Sequence, residues 1–199
     1  MRQSTENIRF FPFGLWLSGA CLCLILLNCT QQSDQNSANA QMPQAADTSR
    51  ISEPVFVDPD AGRTWNIFGL QIVGKIMSEQ TAGQYSVVIS TTPPQGGPPL
   101  HVHSHEDEMF YVLEGEYEFR CGDEARRVSA GTLVHLPRGI PHGFRNVGTA
   151  PGVLMNTITP GGFEQFFEEI DQLPKDKPLD RGKVTEIAAK YGLRFLPGQ

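Results

Sequence analysis

Between Ile51 and Ile158 the apolar residues come in short runs, several with a period of two, and beyond Pro160 the period changes. Tyr85-Ser86-Val87-Val88-Ile89 predicts a strand, and so does Met109-Phe110-Tyr111-Val112-Leu113, which Glu114-Gly115-Glu116 would reverse. Tyr117, Phe119 and Cys121 then alternate with Glu118 and Arg120, the pattern of a half-buried strand. Gly122-Asp123 turns the chain into a strand over Ala125 to Val128. Thr132 to Leu136 is the next strand, stopped by Pro137, and Val153 to Ile158 is the last. Closely spaced short strands with turn residues between them predict an all-β sandwich or barrel. Phe163, Phe166, Phe167 and Ile170 follow at i, i+3, i+4, i+7, which gives a helix one apolar face. After Pro174 and Pro178, a second helix is expected to start at an Asp180 N-cap. It carries Val184, Ile187, Ala188 and Tyr191 on one side and ends at Gly192. Both helices are expected on the outside of the barrel.

The first 50 residues do not fit this picture. Arg2 and Arg9 precede an uncharged apolar run from Phe10 to Leu27, and a polar stretch rich in Ser, Gln and Asn follows from Thr30 to Gln44. That order is expected of an export signal over residues 1–28 and a flexible polar tether over 29–50, with the folded domain over 51–199. Leu26-Leu27-Asn28-Cys29 resembles a bacterial lipobox, although Asn28 stands where a small residue is usual. Ala38-Asn39-Ala40 is an alternative cleavage site for ordinary secretion, and a retained membrane anchor is a third reading. All three put the domain outside the cytoplasm, in the periplasm or tethered to a membrane as a lipoprotein. Cys21, Cys23 and Cys29 lie in or beside the signal, which leaves only Cys121 in the domain and no disulfide within it.

Composition adds two points. The chain has 199 residues, enough for one domain plus extras, and its 15 prolines and 20 glycines suit many turns. A formal charge of -6 and the lack of a Lys/Arg-rich patch give no support to a nucleic-acid partner.

The chemistry concentrates in Leu100-His101-Val102-His103-Ser104-His105-Glu106-Asp107-Glu108. Alternate side chains of a strand share a face, so His101 and His103 can point together into a barrel. Glu108 follows after four residues, enough for the chain to bend and return a carboxylate to the same point. Imidazoles and a carboxylate suit first-row divalent metals. A fourth ligand has to come from elsewhere, and His142 sits in a second ordered motif. That motif reads Gly131, five residues, Pro137, one residue, Gly139, two residues, His142, three residues, Asn146. His105 has the parity to face inward, but a bend beginning at Ser104 would swing it to the rim. His135 reads as a strand residue away from the site. Pro137 and Pro141 would stiffen the loop that presents His142, and Asn146 would tie that loop by side-chain hydrogen bonds. Phe110 and Phe144 are candidate pocket walls.

The two spaced motifs resemble those of the cupin superfamily. His101, His103, Glu108 and Gly115 stand at the spacing of its first motif, and every named position of the second is matched. The leading glycine of the first motif falls on Gln95, although Gly96 and Gly97 stand beside it. The resemblance implies a double-stranded β-helix, or jelly-roll barrel, holding one divalent transition metal ion (Mn, Fe, Ni, Cu or Zn) on His101, His103, Glu108 and His142. The stretch Gly96 to Glu118 and Pro160-Gly161-Gly162-Phe163-Glu164 look like the single-domain bacterial cupins called quercetin 2,3-dioxygenase-like. That likeness implies a metal-dependent dioxygenase acting on a small enol or aromatic compound, with Glu108 as ligand and base.

Two other functions stay open: an exported cupin that binds a small ligand without turnover, and a cupin isomerase or decarboxylase on a sugar or small acid. A dry, aromatic pocket would favour the oxygenase, and a polar pocket with Arg or Lys near the metal would favour the isomerase or decarboxylase. The expected partner is a small molecule. No nucleic acid is expected, membrane contact only through the signal or a lipid, and a homodimer is left open.

Overall fold

A computed structural model describes residues 54–176 and 178–197. The signal and tether expected before residue 51 lie outside the described residues. Two antiparallel sheets face each other. The larger has six strands: β1 (Arg63–Ile67), β2 (Leu70–Ile76), β3 (Ser86–Thr92), β10 (Gly152–Thr159), β5 (Asp107–Glu114) and β8 (Leu133–Leu136), in that spatial order. The smaller has five: β11 (Leu193–Phe195), β4 (His101–His103), β9 (His142–Asn146), β6 (Glu116–Cys121) and β7 (Glu124–Ser129). This is the jelly-roll arrangement expected for the chain. Helices α1 (Glu164–Asp171) and α2 (Arg181–Lys190) follow β10.

Four strands had no clear signal. β1 and β2 form a hairpin whose turn residues Phe68 and Gly69 both have positive φ, 51° and 83°. That is the backbone sign a two-residue hairpin turn needs to match strand twist. β9 was not predicted: the proline-bounded loop expected to present His142 ends at Pro141, and His142 is the first residue of a strand. Its sequence, HGFRN, has a glycine inside and polar ends, so it shows no period of two. β11 has only three residues, pairs with β4 and begins directly after Gly192.

The core forms between the sheets and under the helices. Phe110, Val112, Tyr117, Phe119, Leu136 and Leu154 pack between the sheets. Trp65, Ile67, Leu70 and Ile72 of the first hairpin pack against Phe163, Phe166, Phe167 and Ile170, the predicted apolar face of α1. Val184, Ile187 and Ala188 of α2 complete that cluster. Asp180 caps α2 as expected, its Oδ1 accepting from the Lys183 amide at 3.1 Å.

Two loops are pinned in ways that matter for the site. Gln95, at the position where the first motif usually has glycine, takes the left-handed backbone (φ 61°) that a glycine would adopt without steric cost. The neighbouring Gly97 passes so close to Phe144 that a Cβ would collide with its carbonyl oxygen. The Gln95 amide donates to Asn146 O, and the Asn146 amide to Gly96 O, each at 2.9 Å. Asn146 also ties the next turn: Nδ2 donates to Thr92 O and Ala150 O, and Oδ1 accepts from the Gly148 amide.

Glu164 holds the start of α1. Its buried carboxylate accepts from the Ser78 and Gly162 amides, both at 2.8 Å. Burial alone pushes its carboxyl up, but these donors outweigh it and hold it below the usual carboxylate range. A carboxyl depressed in the fold stabilises above its unfolded value and loses that contribution as pH falls through the folded one. Glu164→Gln is therefore expected to lower unfolding free energy at neutral pH by about 1–3 kcal/mol. Denaturant melts of the two proteins should converge as pH drops below the carboxylate range. An equal gap at pH 7 and in acid would show that the charge is not what stabilises the helix start.

Candidate metal centre

Strand parity and register build the site. On β4, His101 and His103 share one face with Val102 between them. His101 lies opposite His142 in the β4–β9 pairing. From the other sheet, Glu108 occupies the inward row of β5, followed by Phe110 and Val112. One ligand atom from each of His101, His103, Glu108 and His142 can be chosen so that all lie within 4.8 Å of one another, and all four residues are buried. The structure thus brings together the four residues singled out from the sequence. His105 is not among them: it is exposed, against Gly192, after the bend at Ser104 whose amide donates to Gly192 O at 2.9 Å. His135 is exposed on β8.

Each imidazole is oriented from behind. His101 Nδ1 lies 2.7 Å from Pro99 O and His142 Nδ1 lies 2.9 Å from Ile140 O. Carbonyl oxygens only accept, so both Nδ1 atoms carry a proton, and Nε2 is on each ring the nitrogen that could take a metal ion. His103 Nδ1 lies 3.2 Å from the carboxylate of Glu106, which is itself buried. Sequence reasoning missed Glu106 as a site residue. Its only signal was an acidic residue three positions after a ligand histidine, and a carboxylate behind a ligand imidazole is the usual way of fixing ring and tautomer. The segment that delivers His142 is anchored to β4 by Gly139 N donating to His103 O at 2.8 Å, and to Asp107 by Arg138.

Glu108 is held at both oxygens. Asn156, inward on β10, donates from Nδ2 to Glu108 Oε1 at 2.6 Å. Glu108 Oε2 lies 3.1 Å from His142 Nε2 and 3.6 Å from His103 Nε2. Burial pushes the Glu108 carboxyl up, but His103, the bond from His142 and His101 outweigh it and bring it down to about 2. Burial, helped by the neighbouring His103, brings His101 down to about 4, so that ring is neutral at pH 7. His103 goes the other way: burial lowers it, but the carboxylates of Glu108 and Glu106 outweigh burial and raise it. Three imidazoles and one carboxylate converging on one point fit a divalent transition ion, which would take the place of the proton otherwise needed between His142 Nε2 and Glu108 Oε2.

A half-open cavity of about 80 Å³ lies beside the cluster. Phe110, Phe144, Phe163 and Phe167 line it together with His101, His103 and Glu108. The helix face that packs on the barrel thus also contributes wall to the cavity, and the Phe163 ring stands edge-on to His103 at 4.4 Å. Among the described residues no lysine or arginine lines this cavity.

Fold and cluster define a class: a jelly-roll domain with a three-histidine, one-glutamate centre that could hold a metal ion. Residues 88–158 match the family model of the cupin domain. It is 28% identical to quercetin 2,3-dioxygenase of Bacillus subtilis over 93 residues, 46% of this chain and 27% of that enzyme. The chain thus spans about a quarter of that relative's length. KdgF from Halomonas sp. superposes with a TM-score of 0.51 at 18% identity, covering 57% of this chain and 99% of that one. A predicted oxalate decarboxylase from Thermotoga maritima superposes at 0.50 with 20% identity, over 53% and 99% of the two chains. At these identities the solved structures establish the fold alone.

Metal analysis after loading with Mn(II) or Zn(II) tests the centre. The wild-type chain is expected to retain one ion, and His101→Ala and His142→Ala to lose most of it. Glu106→Gln is expected to weaken affinity about 10- to 100-fold, the usual cost of losing a group that orients a ligand. His105→Ala is expected to match wild type. Full occupancy in both histidine variants would remove these residues from the metal centre.

Proposed function

We propose that this cupin is a metal-dependent oxygenase acting on a small enol or phenol-like compound. The cavity wall carries the proposal: it is aromatic, has no lysine or arginine among the described residues, and lies against the ligand cluster. A sugar acid or dicarboxylate would normally be met by fixed cations, so the isomerase or decarboxylase reading has less support. Size narrows the substrate. A cavity of about 80 Å³, against the ~150 Å³ apolar cavity that takes up benzene, leaves room for no more than one small ring. A three-ring flavonol would leave most of itself outside.

The residues divide the work as follows. His101, His103, His142 and Glu108 would hold one divalent ion of the Mn, Fe, Ni, Cu or Zn series. Such an ion supplies Lewis acidity and open positions for substrate and dioxygen. Pro99 O, Ile140 O and Glu106 hold the imidazoles in the tautomer that presents Nε2. The phenylalanine wall excludes water and orients an apolar substrate. Glu108 contributes the negative charge. Held at about 2 and bonded to Asn156, it is better suited to be an anionic ligand than the base expected from the sequence.

Oxygen uptake is the test. Metal-loaded protein is expected to consume oxygen with one-ring enols or catechols faster than with flavonols. Glu108→Gln is expected to reduce uptake by at least about 100-fold, through loss of the anionic ligand. No uptake with any such compound and any of the five metals would favour the binding protein without turnover.

We further propose that the domain works outside the cytoplasm, tethered through a lipid on Cys29. The supporting feature is the order of basic residues, apolar run, Cys29 and polar stretch. Wild-type protein is expected in the membrane fraction, with Cys29→Ser released or unprocessed. A soluble product beginning at Gln41 would show cleavage after Ala40 instead.

A further inference from the structure

The inward row of β3 is unlike a core strand. Ser86, Val88, Ser90 and Thr92 face inward and are buried, while the more apolar Val87 and Ile89 face outward. Two inward polar groups on adjacent strands border the cavity: Ser90 on β3 and Asn156 on β10. The register pairs Leu154 with Ser90 and Asn156 with Val88, so Ser90 and Asn156 are diagonal neighbours on one face. Each is about 95% buried, with relative exposures of 5% and 4%. The Glu108 carboxylate fixes the Asn156 amide, because Glu108 can only accept and Nδ2 must face it. Asn156 Oδ1 therefore points away from Glu108, and it has no hydrogen-bond partner among the described residues. Ser90 Oγ has none among them either.

Buried polar atoms without partners are costly, and two beside one cavity call for an occupant. We propose that Ser90 Oγ and Asn156 Oδ1 are the specificity-determining pair of this cavity and bind the hydroxyl of a compact, uncharged ligand whose remaining surface is apolar. Asn156 Oδ1 accepts only, so the ligand donates to it, and Ser90 Oγ can accept or donate to the same oxygen. The phenylalanine wall takes the hydrocarbon part. The absence of lysine and arginine from the described wall removes the counter-charge a carboxylate would need. Asn156 also links the two halves of the site, since the amide that presents Oδ1 to the ligand is the one that positions the Glu108 carboxylate. This rests on the reading that the substrate sits in this cavity.

Phenol and toluene have nearly the same shape and differ by the hydroxyl. A purely apolar cavity prefers toluene, because burying an unpaired hydroxyl is unfavourable. A cavity built to bond a hydroxyl prefers phenol. Ligand-observed NMR titration of the full chain, treated with chelator so that no metal takes the phenol oxygen, is expected to show phenol binding more tightly than toluene. Benzoate should bind more weakly than phenol. Ser90→Ala is expected to lower the phenol-to-toluene affinity ratio about five- to tenfold, the worth of one hydrogen bond. Toluene binding better than phenol in wild type, benzoate binding best, or no binding by any of the three would overturn the proposal. His101 and Glu108 line the same cavity and could bond phenol once metal is removed, so the Ser90 comparison decides: an unchanged ratio in Ser90→Ala, or in Ser90→Cys should the alanine variant fail to fold, would also overturn the proposal. Oxygen uptake is scored separately, so hydroxyl selectivity without turnover would sink the oxygenase reading and leave this one standing.

Discussion

Burying one carboxylate and three imidazoles inside a barrel of phenylalanine, valine and leucine is the constraint that shapes the rest of the molecule. An unpaired ionised group in such a place would be prohibitively unstable, so the carboxylate oxygens and the imidazole N–H groups have to be met. Glu108 is met at Oε1 by Asn156 and at Oε2 by His142. The three Nδ1 atoms are met by Pro99 O, Ile140 O and Glu106. Those partners come from both sheets and from the segment between β8 and β9. The need to satisfy a few atoms therefore fixes how the two sheets and that segment sit against one another.

The helices serve the same centre from another side. α1 buries Phe163, Phe166, Phe167 and Ile170 against the first hairpin, which is ordinary amphipathic packing. Phe163, however, also reaches the His103 ring. The aromatic face that stabilises the domain is thus continuous with the wall a ligand would touch. Glu164, bonded to Ser78 and Gly162, sets where that face begins.

How much of this was readable in advance depended on whether a signal repeats. The α1 face was readable because four apolar residues recur at helical spacing. The parity of His101 and His103, with Glu108 four residues on and His142 in a second motif, was enough to nominate the four residues that the structure brings together. Single polar residues inside buried rows were not readable. Ser90 and Asn156 look like solvent-facing positions, because on β3 and β10 the outward row (Val87, Ile89; Val153, Met155) is as apolar as the inward one. Which face of a strand is the inner one is settled by its neighbours, which are distant in sequence. β9 was missed for the related reason that five residues with a glycine and polar ends carry no periodicity. Gln95 shows the reverse case: the residue departs from the motif's glycine while the backbone keeps the glycine's conformation.

The three supports behind the imidazoles are not equivalent. Two are main-chain carbonyls, of Pro99 and Ile140, and replacing a side chain does not delete a carbonyl. The third is the Glu106 carboxylate. Variation along this lineage can therefore adjust the electron donation of one ring, His103, by exchanging a single residue, while the other two stay at the setting the backbone gives them. Glu106 is the position at which the reactivity of such a centre could drift or be selected with no ligand replaced.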